Sequence, residues 1–526
     1  MSQPKVESYE AVVVGGGIAG LTCAAYLSRS GLRTLVLEKQ NKTGGLIGTF
    51  FHQGFAFDSG ARAFENSGIL FPMLKNLGIE LSFLKSIVSI GIGEHWVRLT
   101  GKDSLNDYAA MLKESFPANH ADIDRITAEI RKVMGYLEVL YGIDNPLFRE
   151  DMKDMNYLKS ELLPWLIKYR RSAPKISRLN LPVDNYLRRL TDNQALIDMV
   201  IQHFFDETPT FFALSYFSLY LDYTYIKGGT GSLPSALNDY IIEHGGEIRT
   251  GCEVVSIDAA GHTLQLADGR SLNYKKLVWT ADQSSLYRLV QGANSARFHS
   301  QRDLVANSHG ANSILTLFIG LDKDMEYVAQ SSGPHAFYTP ETSGLSSLSA
   351  WSEAAANGEE ALQDWLSAYF ERTTYEISCP VLRDPALAAE GQSGLVVSTL
   401  LDYGLTRHYA DNGNYEKLKQ FCSYKIIDVL ERIFPGISES VLFSICATPT
   451  TLERINGSKE GAITGWAFTN AKMPAEMRLK KISKSVQTPI NDIYQCGQWT
   501  FSPSGVPTCI LTGKLAADKV SKDSGI

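Results

Sequence analysis

The chain has 526 residues, 44% of them hydrophobic and 20% charged, which is enough to build two or more hydrophobic cores. Its formal net charge of −7 argues against nucleic acid as the main partner, and seven scattered cysteines without a C-x-x-C pair predict neither a disulfide framework nor a metal site. The start is polar and no run of about 20 apolar residues follows, so the sequence predicts a cytoplasmic protein, soluble or associated peripherally with a membrane.

A strand, a glycine-rich turn, a helix and a second strand are predicted between residues 9 and 40. The apolar, β-branched residues 12–14 are typical of a buried parallel strand, and residues 18–30 have the spacing of a helix. Residues 35–37 form the second strand, and Glu38 ends it. Together these elements make a complete βαβ unit.

The turn of this unit carries the pattern G-x-G-x-x-G at Gly15, Gly17 and Gly20. The three glycines serve the tight turn, the close approach of the backbone to a pyrophosphate, and helix–strand packing. The helix start favours phosphate, and Glu38 can accept hydrogen bonds from a ribose diol. The pattern therefore predicts a dinucleotide site. A glycine-rich turn without a ligand is the alternative, and it does not explain Glu38.

A second glycine loop follows at Gly44 and Gly45, and such a pair soon after the ribose acid is typical of large flavoproteins. A plain flexible turn is the alternative for this pair. Residues 50–57 predict a β-hairpin that leads into a loop at residues 57–62.

Residues 65–224 have a helical character, with helices predicted over 106–116, 121–141, 158–169 and 185–205. Segment 162–171 combines an apolar face, a tryptophan and a basic end, so it fits either a membrane surface or a helix packed on its own domain. A group of aromatic residues follows, which lines a long apolar pocket or packs in a core: Phe204, Phe205, Phe211, Phe212, Tyr216, Phe217, Tyr220, Tyr223 and Tyr225.

The second half of the chain returns to the nucleotide-binding sheet and leaves it again. Ser232 is the predicted N-cap of a helix that ends at residue 244, and strands are predicted at 254–257 and 276–281. Residues 311–475 indicate a sheet with added helices, including strands at 314–321 and 394–403. A last strand, a glycine turn at Gly497 and a helix from about residue 508 offer further backbone N–H groups at a helix start.

With these motifs the chain resembles the FAD-dependent phytoene desaturase superfamily, and in particular its carotenoid isomerase and retinol saturase branch. The resemblance runs from end to end in family order. The residues that carry it are 15–20 with Glu38, Gly44 and Gly45, 57–60, 227–237, Val254 and Val255, Thr448 and Pro449 with Gly461, and Gly497 with 505–507.

The resemblance implies an α/β fold with a Rossmann-like FAD-binding domain of the GR2/amine-oxidase type and an interleaved α+β substrate-binding domain. The FAD-binding domain would comprise residues 1–64, 225–310 and 476–526. The substrate-binding domain would comprise residues 65–224, which form a helical part, and 311–475, which form a sheet part.

The resemblance also implies which residues contact FAD. Two positions depart from the family pattern, because Gln498 stands where many members have an acid and Leu46 where arginine is commoner. The full set of expected contacts is Gly15, Gly17, Ile18, Ala19, Gly20, Glu38, Lys39, Gly44, Gly45, Leu46, Gly60, Ala61, Arg62, Val254, Ala281, Gly497, Gln498, Gly505, Val506 and Pro507.

The implied activity is that of an FAD-dependent oxidoreductase acting on C=C or C–H bonds of a long apolar polyene or isoprenoid-like molecule. Desaturation, saturation, isomerisation and reductive cyclisation all stay open. No second G-x-G-x-x-G on a βαβ unit is visible, so NAD(P)H is expected at most as a transient reductant. The alternatives are an amine-oxidase-like flavoenzyme and a non-catalytic prenyl- or lipid-binding protein on the same fold.

The candidate catalytic residues are Arg62, next to the flavin, and Tyr223 and Lys227, which precede the glycines at 228, 229 and 231 and could donate a proton. A salt-bridged surface arginine is the alternative for Arg62. His203 and His335 are interpreted as structural.

Overall fold

The structure is a computed structural model that describes residues 7–151 and 154–526. Its strands are β1 Glu7–Val14, β2 Thr34–Leu37, β3 Thr49–His52, β4 Phe55–Asp58, β5 Phe83–Lys85, β6 Val88–Ile92, β7 His95–Leu99, β8 Thr224–Ile226, β9 Glu247–Arg249, β10 Val254–Asp258, β11 Thr263–Leu266, β12 Ser271–Trp279, β13 Val290–Gln291, β14 Ser313–Leu321, β15 His335–Thr339, β16 Tyr375–Ser378, β17 Ser393–Leu401, β18 Val441–Ala447 and β19 Ile493–Gln495.

Its α-helices are α1 Ile18–Arg29, α2 Leu70–Leu77, α3 Ser104–Ser115, α4 His120–Tyr141, α5 Met155–Tyr157, α6 Leu163–Ser177, α7 Val183–Leu187, α8 Gln194–Ile201, α9 Thr210–Asp222, α10 Ser232–Glu243, α11 Gln283–Leu289, α12 Ala296–Ala306, α13 Met325–Ser331, α14 Trp351–Ala356, α15 Glu359–Arg372, α16 Tyr403–Asp411, α17 Tyr415–Glu431, α18 Pro449–Asn456, α19 Ile482–Ser485 and α20 Val506–Asp523.

The first sheet is built around β1, which pairs in parallel with β12 on one side and β2 on the other. Among the described residues it has eight strands in the order β13-β10-β11-β12-β1-β2-β9, with β19 parallel to the end of β12. Successive side chains of a strand point to opposite faces. Accordingly, Ala11 and Val13 belong to the core that contains α1, α10 and α20, whereas Val12 and Val14 belong to the core with α11 and α12. The predicted buried parallel strand is confirmed.

The second sheet has seven strands among the described residues, in the order β18-β14-β17-β16-β15-β6-β7. Its neighbours are antiparallel except for the parallel pair β15–β6. Helices α14 to α17 cover one face of this sheet in a large apolar core. Helices α3, α4, α8 and α9 form a separate helical core beside β6 and β7.

The two sheets take their strands from alternating segments of the chain. Every strand of the first sheet lies within residues 1–64, 225–310 or 476–526, and every strand of the second within 65–224 or 311–475. The short hairpin of β3 and β4, predicted from residues 50–57, connects the two parts because β4 packs against β17. The division of the chain into two domains stays a prediction.

Two predicted helices differ from the structure in ways that local hydrogen bonds explain. The helix predicted over residues 185–205 is divided into α7 and α8, because the Asn193 side chain accepts a hydrogen bond from the Leu196 N–H and caps a new helix there. Ser232 is the first residue of α10 and not its N-cap, which is Gly231. The Ser232 hydroxyl donates instead to the Lys227 carbonyl oxygen at 3.2 Å.

The helix predicted over residues 158–169 is longer in the structure. It starts with a π-helical turn at Leu158–Leu162 and continues as α6 to Ser177. Three apolar side chains of α6 are exposed, those of Leu163, Leu166 and Ile167. Within the described part of the chain, no helix combines the length and the apolar character needed to cross a membrane.

Candidate cofactor and substrate site

A cavity of about 2190 Å³ is lined by residues from both sheets and from the helical part of the chain. Typical pockets for drug-sized ligands have roughly 300–1,000 Å³, so this space accommodates an extended dinucleotide together with a second molecule. Every residue predicted to contact the cofactor lies in its wall except Gly20. Their contacts with a cofactor stay a prediction, whereas their convergence on one cavity is a property of the structure.

The start of α1 opens directly onto this cavity. Gly17 is the N-cap residue, no side chain caps the helix, and its first turn holds no acidic residue. A Cβ atom built on Gly17 meets nothing within 4 Å, whereas one on Gly20 clashes with the Gly15 carbonyl oxygen. Gly17 thus leaves space for a ligand to approach the backbone, and Gly20 serves the packing of α1 against the strand end.

Glu38 lies at the end of β2 with its carboxylate fixed by the backbone. One oxygen accepts a hydrogen bond from the Gly16 N–H at 2.7 Å and the other from the Gln40 N–H at 2.8 Å. A carboxylate can accept about four hydrogen bonds, so a diol can still bind to the remaining lone pairs. This arrangement is the one expected for a ribose acceptor held in position before the ligand arrives.

The second glycine loop lies against the first. The Gly44 N–H donates to the Gly16 carbonyl oxygen at 2.8 Å, and Gly17 and Gly44 form an isolated parallel bridge. Gly44 has a φ of +114° and Gly45 a φ of +60°, which are values that glycine tolerates best. The glycines of the two loops therefore leave stretches of bare backbone next to each other on the cavity wall.

The third glycine loop, residues 227–231, is held in place by the side chain of Asp58. Asp58 is buried and accepts hydrogen bonds from the Thr230 N–H at 2.9 Å and from the Tyr225 hydroxyl at 2.7 Å. The Lys227 side chain is exposed and lies outside the cavity wall. The role of Lys227 as a proton donor stays a prediction, which this position outside the cavity wall does not support.

The C-terminal helix contributes a second helix start to the cavity. Gly505 is the N-cap residue of α20, Val506 and Pro507 form its first turn, and no side chain caps it. The Gly497 N–H donates to the Thr512 hydroxyl at 3.0 Å, which ties the preceding turn to this helix. The positive ends of two helices, α1 and α20, therefore meet one cavity.

A charged cluster lies in the wall beyond the glycine loops. The buried Arg62 guanidinium forms an ion pair with Glu376 at 2.5 Å and a hydrogen bond with Ser398. Glu376 also contacts the His335 Nε2 atom at 3.0 Å, and Arg383 donates to the Arg62 carbonyl oxygen at 2.9 Å. Arg62 is thus neither at the protein surface nor without a partner.

The protonation of this cluster follows from its geometry. Burial alone would raise the pKa of Glu376, but the Arg62 charge and the His335 hydrogen bond lower it to about 2. Burial also lowers the pKa of His335, although Glu376 opposes this. An ionised carboxylate only accepts hydrogen bonds, so the neutral His335 ring carries its hydrogen on Nε2. Its Nδ1 atom is buried and has no partner among the described residues.

The aromatic group divides between pocket wall and core. Phe217, Tyr220 and Tyr225 are buried in the cores. The Tyr223 hydroxyl donates to that of Tyr216 at 3.3 Å, and burial raises the pKa of Tyr223 well above its usual value. The six that line the cavity are Phe204, Phe205, Phe211, Phe212, Tyr216 and Tyr223.

Several residues of the wall carry no sequence motif. His203 and His335, whose structural role stays a prediction, both line the cavity, and His203 contacts the Tyr220 hydroxyl at 2.9 Å. Glu376 and Phe337 lie on strands of the second sheet and also line it. Only the pairing of β15, β16 and β17 brings these positions to the loop of Arg62, so no local pattern could have identified them.

The residues present fit a flavin dinucleotide. The two adjoining glycine loops leave space at Gly17, the Glu38 carboxylate is oriented, and both helix starts are uncapped. A Rossmann-like sheet with these features defines an FAD-binding oxidoreductase fold. The family model for flavin containing amine oxidoreductases matches residues 18–374, and the chain belongs to this family. The protein is therefore a flavin-dependent enzyme, and its cofactor is FAD.

Two named relatives and one solved structure illustrate the similarity. The chain is 24% identical over 543 residues to the chloroplastic prolycopene isomerase of Arabidopsis thaliana, covering 98% of this chain and 83% of the relative. It is also 24% identical over 532 residues to the all-trans-retinol 13,14-reductase of Danio rerio, covering 94% and 82%. The structure of putrescine oxidase bound to putrescine has a TM-score of 0.61 and 12% identity over 98% of this chain and 99% of its own, which shows a common fold.

Proposed function

We propose that this enzyme acts on C=C or C–H bonds of a long apolar polyene or isoprenoid-like molecule. The observation that carries the proposal is that one cavity is lined by the glycine loops at one part of its wall and by aromatic side chains at another. The two relatives named above are an isomerase and a reductase of polyenes by their names. The aromatic wall favours such a substrate over a polar amine, and the complete glycine set argues against a non-catalytic lipid-binding protein.

The chain's own residues would bind, orient and shield the substrate. The bound flavin supplies two-electron chemistry by accepting or delivering hydride. Phe212, Tyr216 and Tyr223 present rigid aromatic surfaces that align an extended apolar chain and exclude water. Glu376 holds Arg62 in an ion pair, so we assign Arg62 the role of a fixed positive charge beside the cofactor loop and none in proton transfer.

The test is mass spectrometry of polyenes incubated with the enzyme, with and without NADPH. The panel contains cis and all-trans polyenes of increasing length, including prolycopene and all-trans-retinol. We expect at least one to be converted, and loss, gain or retention of hydrogen then distinguishes desaturase, saturase and isomerase. Gain of hydrogen with a new ring would identify a reductive cyclase. We propose NADPH as a transient reductant, so its omission should slow a saturation. Hydrogen peroxide release from putrescine, with every polyene unchanged, would identify an amine oxidase instead.

We further propose that α6 contacts a membrane surface from which an apolar substrate enters. The side chains of Leu163, Leu166 and Ile167 are 54%, 44% and 48% exposed, and the basic stretch 168–171 follows them. Trp165 on the same helix lines the cavity. An exposed apolar face with a basic end is typical of helices that lie at a lipid surface.

Replacing Leu166 and Ile167 together by serine should reduce sedimentation with vesicles of phosphatidylcholine and phosphatidylserine about tenfold or more, because apolar surface that enters the lipid is lost. Added salt should weaken wild-type binding through the basic stretch. Ile242→Ser is the matched control, since Ile242 is an exposed apolar residue on α10, 58% accessible. Equal binding of the double variant and the control would contradict this membrane contact.

A further inference from the structure

Glu65 is a carboxylic acid in the cavity wall with surroundings unlike those of the other acids described above. It follows the loop of residues 60–62 by three positions, and its side chain is partly accessible within the cavity. Glu38 is held by two backbone N–H groups and Glu376 by a guanidinium. Two groups besides burial affect the pKa of Glu65: the charge of Asp222 raises it, and a hydrogen bond from the backbone N–H of Glu65 itself lowers it.

Three tyrosines of the same cavity wall also interact with Glu65. The charge of Glu65 helps to raise the pKa of Tyr141, Tyr216 and Tyr223, and all three tyrosines line the cavity. Burial, with a smaller contribution from Asp222, raises the pKa of Glu65 to about 7. A group that titrates near the working pH can both give and take a proton.

We propose that Glu65 is the catalytic acid that delivers a proton to a carbon of the bound polyene. This inference rests on the proposed function, since it requires a C=C bond in the cavity. The O–H bond of Glu65 breaks, a C–H bond forms from one π electron pair, and the carboxylate remains. In an isomerisation one of the hydrogens now on that carbon returns to the carboxylate as a proton after rotation about the former double bond, so no electrons are gained or lost. In a saturation it is the proton half of an addition of one proton and one hydride.

The wall near Glu65 suits the positive charge that protonation creates on a polyene. The ring of Tyr216 lies 5.3 Å from that of Phe204 and 5.5 Å from that of Phe212, both in edge-to-face contact. The faces of aromatic rings attract cations, the more so where water is excluded. An acid beside an aromatic wall is therefore an arrangement that lowers the free energy of a protonated conjugated chain.

The first test needs no substrate and measures thermal unfolding of flavin-loaded wild type and Glu65→Gln between pH 5 and pH 8. The pKa of Glu65 is about 7 in the folded chain and 4.5 as its ordinary value, so the folded state binds the proton more tightly between these pH values. The wild type then loses stability as pH rises through this window, and above it the loss is complete. Glutamine cannot ionise. The melting temperature of the variant minus that of the wild type should therefore be several degrees greater at pH 8 than at pH 5.

The control for this comparison is Glu80→Gln, because Glu80 is exposed and away from the cavity. Its melting temperature should follow that of the wild type at every pH. Parallel curves for the wild type and Glu65→Gln would overturn the proposal, since Glu65 would then be ionised like a surface acid.

The second test uses a polyene that the wild type converts, with D2O as solvent. Wild-type product should carry deuterium on a former double-bond carbon. Glu65→Gln should keep its flavin content and lose turnover about 100-fold, the usual contribution of a general acid, whereas Glu65→Asp should retain part of it. Unchanged turnover and labelling in Glu65→Gln would overturn the assignment. Failure of the wild type on every polyene would contradict the proposed function, and the melting comparison would then decide on Glu65 alone.

Discussion

Replacing Gly17 by valine is expected to give a folded protein that has lost most of its FAD. Gly17 has φ −72° and ψ 173°, an extended conformation that valine adopts without strain. A Cβ atom on Gly17 meets nothing within 4 Å, so the protein itself has room for the side chain. That room lies on the cavity wall at the uncapped start of α1, where a pyrophosphate would contact backbone N–H groups.

The expected loss of flavin is at least about tenfold, because a charge-assisted hydrogen bond contributes roughly 1.5–3 kcal/mol and the valine methyl groups prevent the close approach that it needs. Flavin absorbance relative to protein concentration measures the occupancy, and circular dichroism reports the fold. Gly135→Val is the matched control, since Gly135 is an exposed glycine of α4 whose added Cβ also meets nothing within 4 Å. A Gly17→Val protein with the flavin content of this control would contradict the assignment.

Gly20→Val separates the two uses of glycine in the same motif. A Cβ atom there clashes with the Gly15 carbonyl oxygen and approaches the Thr280 hydroxyl to 2.8 Å. The backbone of α1 and the end of β1 would have to move apart, and buried side chains on both elements would lose contacts. This variant should therefore lose stability before any effect on flavin can be measured.

The sequence predicted the cofactor side of the site because that side is built from local chemistry. A glycine in this motif indicates a tight turn or an open backbone whatever lies elsewhere in the sequence. The acidic residue that Glu38 represents follows the motif at a characteristic sequence spacing of about 20 residues in βαβ units of this kind. The convergence of Gly17, Gly44 and Gly505 on one cavity follows from strands that lie next to each other in the first sheet. The family pattern was therefore sufficient to predict residues that line one cavity, while their contacts with FAD stay a prediction.

The substrate side could not be predicted in the same way. Arg62 and its partner Glu376 are 314 positions apart in the sequence, and His335 and Glu376 are 41 positions apart. Nothing around a histidine at the start of a strand distinguishes a cavity residue from a core residue. The sequence alone therefore could not place His335 in the cavity wall, nor Glu65, because a lone glutamate is usually solvated.

The second large effect is expected at Arg62, whose loss would leave the partly buried Glu376 carboxylate without its cation. Arg62→Met keeps much of the side-chain volume but removes the ion pair with Glu376 and the hydrogen bond with Ser398. Removing one partner of a buried pair costs about 3–5 kcal/mol, because the remaining charge has no compensation. We expect about 3 kcal/mol here, the lower end, since the Glu376 side chain is 33% exposed toward the cavity.

The pH dependence of unfolding in urea should identify the cause. The pKa of Glu376 is about 2 in the folded protein and 4.5 as its ordinary value, so the unfolded chain binds more protons between these values. In the wild type, the stabilisation that the ionised Glu376 contributes is fully present above pH 4.5 and is lost as the pH falls toward 2. Arg62→Met removes the main charge that lowers this pKa, so its stability should fall less on acidification from pH 5 to pH 3.

The double variant Arg62→Met/Glu376→Gln tests whether the two residues act as a pair. With both charges removed, no uncompensated carboxylate remains, and the double variant should be more stable than the sum of the two single changes predicts. Glu376→Gln alone leaves the Arg62 guanidinium buried and should destabilise the protein by a similar amount. Strictly additive effects would mean that the pair contributes no coupling. Arg62 would then contribute through Ser398 and through packing, and its fixed charge beside the cofactor loop would not depend on Glu376.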